Sequence, residues 1–183
     1  MTRGRLDLNW GLFIEPPDEP ETQYGAMLVN YCGNTARDTY DMVTSYRAAA
    51  FRLLDAAMKH GEAWESIDPI LFCFRHALEL NLKCLQTGSR LRTHGLKSMA
   101  DALHERLSSR YPTAQVDWLR NRIYEFDTVD PRSTAFRYDD AAPPSTPPEL
   151  WVDFANLRHI MKTMFDALDT VRRHDFELER EGA

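Results

Sequence analysis

The side chains best suited to proton transfer near neutral pH are the six histidines, His60, His76, His94, His104, His159 and His174. His76 stands three residues before Glu79 in "FRHALELNLK", where helical spacing puts the two on one face, so a general base oriented by a carboxylate is a candidate chemistry. The competing expectation is a histidine hydrogen-bonded on the seam of a bundle. Glu79 is also four residues from both Arg75 and Lys83, and such a charge ladder contributes about 0.2 to 0.5 kcal/mol per pair. Between Glu79 and Asp101 there is no carboxylate, while Lys83, Arg90, Arg92 and Lys97 give four positive charges with His94 among them. These positions surround a loop between two helices, where the second helix's N-terminus adds free N–H groups and partial positive charge. An anion is one expectation for them, joined by Arg132 and Arg137 further along. The other is that the cations offset the first helix's C-terminal dipole and pair with acids elsewhere.

Other chemistries have less behind them. The chain carries no glycine-rich phosphate loop, nucleophile elbow or two-histidine metal helix, and His76 with Glu79 or His104 with Glu105 cannot by themselves make a metal site. No metal and no cofactor are expected. Ser98, Ser108 and Ser109 fall on a helix with no identifiable base partner.

The elements that must position these groups read as helices. Over residues 34–60, Val43, Tyr46, Ala50, Leu53 and Ala57 recur at alternating three- and four-residue steps, and Gly61 stands where a left-handed cap belongs. A second helix is expected over 68–86, apolar around most of its circumference. Its polar residues, Arg75, His76, Glu79, Lys83 and Gln86, fall within about 100° of one another on a wheel, and Asn81 alone interrupts the apolar side. Because that helix is too apolar to lie on the surface, Arg75, Glu79 and Lys83 are expected to form a structural charged seam between helices. A third helix covers 95–109 and a fourth 114–127, with Val116, Leu119, Ile123 and Phe126 inward. Residues 127–148 carry five prolines and no helical period, so they read as a long irregular connection. "TPPE" then offers a start for the last helix, with Thr146 as cap, Pro147 in the first turn and Glu149 closing a capping box. Leu150, Phe154, Leu157, Met161, Met164, Leu168 and Val171 continue as an unbroken seam, and a helix reaching residue 179 is ~45 Å long. Leu157, Met161, Met164 or Leu168 is expected to contact a second chain or the first long helix. A short strand near residues 6–14 is the one departure from an all-α class.

Whole-chain properties fit one globular domain: 183 residues, 43% hydrophobic and 27% charged. The acidic lead-in "EPPDEPET" puts the expected boundary between an extended segment, 1–25, and a single domain, 26–183. A net charge of -6 argues against coating nucleic acid or anionic membrane with the whole surface. Cys32, Cys73 and Cys84 make an odd count without paired spacing, which reads as reduced core thiols in a cytoplasmic protein. The early apolar stretch runs into acid and proline rather than a secretory signal, and nothing later reaches the ~18 apolar residues of a membrane span.

The composite "RHALELNLK", a loop, then "THGLKSMADAL", with "FRYDD" before the final helix, resembles HEPN-like bacterial helical proteins over residues 40–171. The resemblance implies an all-α five-helix bundle, often dimeric, and a setting of toxin–antitoxin or antiphage systems, with a nucleotidyltransferase antitoxin or a defence enzyme as partner. Many such proteins are ribonucleases whose active site uses an arginine, four to six residues, then a histidine, with two copies meeting across a dimer. No arginine stands at that distance before any histidine here. Lys97 precedes His104 with six residues between, but lysine lacks the forked phosphate geometry of arginine. "RNRIYEFD" resembles the family's arginine-asparagine motif with Glu125 where histidine would stand, which makes Arg120, Asn121 and Glu125, beside His76, the catalytic candidates. The expectation that follows is a cytoplasmic, homodimeric binding or regulatory module associated with RNA or nucleotide and lacking an intact ribonuclease pair. A divergent metal-independent ribonuclease and a dimerisation scaffold without a ligand are the alternatives.

Overall fold

A computed structural model describes residues 38–86, 94–138 and 149–181, with side chains to residue 175. All of them belong to the unit Arg37–Ala183, so the expected boundary after residue 25, the candidate strand at 6–14, Cys32, and the pair Arg90 and Arg92 lie outside the described residues. The described chain is an all-α bundle of α1 (Thr39–His60), α2 (Ala63–Cys84), α3 (Leu96–Leu107), α4 (Thr113–Val129) and α5 (Phe154–Glu181). None of these helices is long and apolar enough to cross a membrane.

Asp38 opens α1 with a reciprocal capping box, its carboxylate accepting from Asp41 N at 2.8 Å while Asp41 accepts from Asp38 N at 3.2 Å. Gly61 closes it at φ 71, ψ 28, the left-handed geometry that a glycine adopts without steric cost. The buried stripe of α1 is Val43, Ala50, Leu54 and Ala57. Leu53, expected inward, is 37% exposed. Eleven residues close three helical turns to within about 20°, so Leu54 lies under Val43 while Leu53 is turned about 80° aside.

The second helix begins at Ala63, before the expected 68, and runs through Pro69. Proline there forfeits a bond to the carbonyl one turn back. Pro69 is exposed, so that carbonyl is left on the solvent side rather than in the core. Phe74 anchors the centre of the core, with the Phe51 ring 5.0 Å away edge-on and Phe165 at 6.4 Å. Cys73 and Cys84 are of intermediate burial, and burial pushes the Cys73 thiol up from its ordinary value.

The last helix starts at Phe154, not near Thr146. Thr146 and Pro147 lie outside the described residues, while Leu150, placed in the seam by its spacing, is 53% exposed ahead of the helix. Asp153 supplies the cap instead: its Oδ1 accepts from Asn156 N at 2.7 Å and its carbonyl from Leu157 N at 2.8 Å. Met161, Met164, Phe165, Leu168 and Val171 are buried within the one chain, and α5 lies antiparallel to α1. Tyr40 donates to Asp169 at 2.9 Å, Arg47 pairs with Asp169 at 2.7 Å, and Asp55 pairs with Arg158 at the other end. The α5 seam is therefore absorbed inside the bundle, leaving only Leu157 and Phe154 half-buried along it.

Candidate anion-binding site

Two residues of the α2 polar stripe are among the most deeply buried of the helix. Arg75 is 0% exposed and Glu79 2%. A buried guanidinium needs acceptors for its donors, and Arg75 finds them on three separate stretches of chain. Nε donates to the Asp130 carbonyl at 3.0 Å and lies 3.1 Å from Asp130 Oδ2. Nη1 donates to Glu79 Oε2 at 2.9 Å, and Nη2 donates to the His94 carbonyl at 3.0 Å. One side chain thus ties α2 to the residue that leads into α3 and to the end of α4.

Asp130 was not singled out by sequence reasoning. It caps the chain leaving α4, its Oδ1 accepting from Thr134 N at 2.7 Å and Ala135 N at 3.1 Å, with Ser133 at φ 62 in the turn. The signal was present in "DPRST", since aspartate before proline and followed by serine and threonine is turn chemistry. It could not reveal that the same carboxylate faces Arg75.

Glu79 Oε1 accepts from Lys83 Nζ at 2.6 Å and lies 2.8 Å from His94 Nδ1. Burial raises the Glu79 carboxyl, but the hydrogen bonds from Lys83, His94 and Arg75 outweigh it and hold the group below its ordinary range. An ionised Glu79 requires Nδ1 of His94 to be a donor, which leaves Nε2 on the outer side of a ring whose side chain is 69% exposed. Lys83 is 27% exposed. The cluster is closed inside and open at this edge.

Arg137 and Lys83 both lie near enough to His76 for their charges to act on it, Arg137 from the Phe72 side and Lys83 from the Glu79 side. The Arg137 guanidinium donates through Nε to the Ser133 carbonyl at 2.7 Å and lies 5.6 Å from the Phe72 ring centre and 5.4 Å from that of Tyr138. Arg132 is exposed nearby in sequence. His76 itself packs edge-on against Tyr46 at 4.4 Å and parallel to Phe72 at 5.8 Å. Burial lowers its pKa, Glu79 opposes that, and Lys83, Arg137 and Arg75 lower it further, so the imidazole is held neutral among aromatic rings.

The start of α3 differs from expectation. Lys97 N donates to Asp127 Oδ1 at 3.0 Å, so a carboxylate of α4 already occupies part of the N-terminal cradle expected to receive an anion. The Lys97 ammonium lies 5.4 Å from the Tyr124 ring centre, turned to the α3–α4 face. Arg90 and Arg92 fall between anchored flanks: the Leu85 carbonyl accepts from Arg106 at 2.9 Å, and His94 is held by Arg75 and Glu79.

The α4 candidates are not brought together as a catalytic pair. Arg120 is 3.4 Å from Asp117 and 5.9 Å from the Tyr124 ring centre, Glu125 pairs with Arg122 at 2.9 Å, and Asn121 is exposed. On the same face His104 Nε2 is 2.7 Å from Asp117, and the Ser108 hydroxyl, which had no evident base in the sequence, is 3.5 Å from His104 Nδ1. That hydroxyl donates to the His104 carbonyl at 2.7 Å, so its proton is committed to the backbone. Among the described residues no group of three or more His, Cys, Asp or Glu could hold a metal ion. The fold and the cluster define an all-α bundle organised around a buried arginine. No protein-family model, curated protein or solved structure matches the chain.

Proposed function

We propose that the chain is a HEPN-like binding or regulatory module that holds phosphates of an RNA or nucleotide at the edge formed by Lys83 and His94, with Arg137, on the other side of His76, as a further contact, in a bacterial toxin–antitoxin or antiphage setting. The observation that carries this reading is the shared carboxylate. Glu79 is buried and spends one oxygen on Arg75 and the other on Lys83 and His94, which fixes two donor side chains at the solvent edge before any ligand arrives. Donors held in place lose little entropy on binding, and an anion there replaces water rather than ordering a mobile side chain. Within the cluster Arg75 and Lys83 meet Glu79 and Asp130, and Arg137, held by the Ser133 carbonyl and the Phe72 ring, adds a further positive charge near His76. Arg90 and Arg92, on the segment between Gln86 and His94, extend the same positive stretch.

The test is anisotropy of a labelled single-stranded RNA, with nucleotides as competitors. Arg137→Ala and the pair Arg90→Ala, Arg92→Ala should each weaken binding without lowering the melting temperature. If both variants bind as the parent does, the site is wrong. Metal-independent cleavage of the RNA that is lost in Arg120→Ala or Glu125→Ala would instead make the chain a ribonuclease.

A further inference from the structure

The bundle has one end whose surface chemistry serves neither the core nor the charged cluster. Because α5 runs antiparallel to α1, with Tyr40 against Asp169 and Asp55 against Arg158, the last turn of α1 and the residues just before α5 lie at the same end. The second helix also begins there, one residue beyond the Gly61 turn and Glu62. Trp64 and Trp151 are both 89% exposed at this end, with Leu150 at 53% and Met58 at 48%. Single exposed apolar residues are ordinary, but two tryptophans each 89% exposed at one end of a bundle are not, and tryptophan is among the residues most enriched in side chains that dominate interface energetics.

The charges around them indicate what covers them. Lys59 and His60 end α1, and Glu62 and Glu65 follow within one turn of α2, all four exposed. Asp153, at the start of α5, adds another carboxylate. Acids beside the rings disfavour a nucleic acid or an anionic membrane. Adjacent basic and acidic pairs, in contrast, match themselves about a two-fold axis, where each copy's Lys59 and His60 face its partner's Glu62 and Glu65. We propose that this end of the bundle is a self-association surface that closes a symmetric dimer through Trp64 and Trp151. The α5 seam plays no part in it, since Met161, Met164 and Leu168 are already buried within one chain.

The experiment is light scattering across a range of protein concentrations, with tryptophan emission followed in the same samples. The parent should reach dimer mass as concentration rises, its emission shifting to the blue. Trp64→Ser with Trp151→Ser should weaken dimerisation by about tenfold or more and leave the melting temperature of the dilute protein unchanged. A second pair of variants guards against misfolding. Glu62→Lys with Glu65→Lys should not self-associate, and mixing it with Lys59→Glu, His60→Glu should restore dimer mass. A parent that stays monomeric at every concentration overturns the proposal. So does a dimer that survives both sets of substitutions, or emission that shifts on adding RNA to a protein that remains monomeric.

Discussion

Replacing Glu79 with alanine separates the scaffold of the cluster from its binding edge. Glu79 is 2% exposed and Arg75 0%, so the substitution removes one ionic partner from a guanidinium with no access to water. Breaking a buried pair from one side costs about 3 to 5 kcal/mol, because the remaining charge keeps its desolvation penalty. Asp130 Oδ2 still stands 3.1 Å from Arg75 Nε, which places the cost at the lower end, about 3 kcal/mol. At about 2 to 4 °C per kcal/mol for a domain of this size, the melting temperature should fall by roughly 6 to 12 °C. Acid should supply a second readout. The Glu79 carboxyl is held below its ordinary value of 4.5, so the folded state resists the proton. Its contribution is complete above that value and is lost as pH falls through the lower folded-state pKa. Thermal melts followed by circular dichroism, at neutral pH and in acid, should show the alanine variant less stable at neutrality and with a shallower acid limb. A variant that melts with the parent, on the same acid limb, would refute the reasoning.

Three further outcomes follow from particular side chains. Asn81 is fully buried with no hydrogen-bond partner for either amide atom, so Asn81→Leu should raise the urea midpoint, by about 1 to 3 kcal/mol in stability; a lower midpoint would show that the amide is satisfied in solution. Asp38→Ala removes the side-chain half of the α1 capping box, leaving the backbone N–H that donates to Asp41, and should cost about 1 kcal/mol in the same assay, with no loss expected if that end is frayed. Burial lowers the pKa of His76, so the folded state disfavours its protonation and stability should decline as pH drops below the ordinary 6.5; His76→Phe should flatten that decline, and an unchanged profile would assign it to another group.

Much of the architecture is legible in local chemistry. Gly61 marks the end of α1 because no other residue takes φ 71 so readily, and the α4 stripe of Val116, Leu119 and Ile123 is buried as its spacing requires. The grouping of Arg75, Glu79 and Lys83 on one face of α2 can likewise be read from intervals of four. What spacing does not carry is the third dimension. Asp130, fifty-five residues from Arg75, is recognisable as a turn residue but not as the partner of a buried guanidinium. The start of α5 escapes because two caps compete: "TPPE" has the stronger local pattern, and Asp153 makes the bond that forms. Asp127 is similarly unremarkable in sequence, yet its carboxylate takes the Lys97 N–H at the α3 N-terminus.

The central claim is that Lys83 and Arg137 present charge to separate phosphates of a strand while Glu79 holds Lys83 and His94 from behind. Its most direct test is the salt dependence of single-stranded RNA binding, compared between the parent and the double variant Lys83→Met, Arg137→Ala. Each phosphate contact on a single strand contributes about 0.7 to the slope of log affinity against log salt concentration. The double variant should therefore bind more weakly and lose about 1.4 of that slope. Equal slopes in two proteins that both bind, or a parent that binds neither RNA nor nucleotide at low salt, would contradict it.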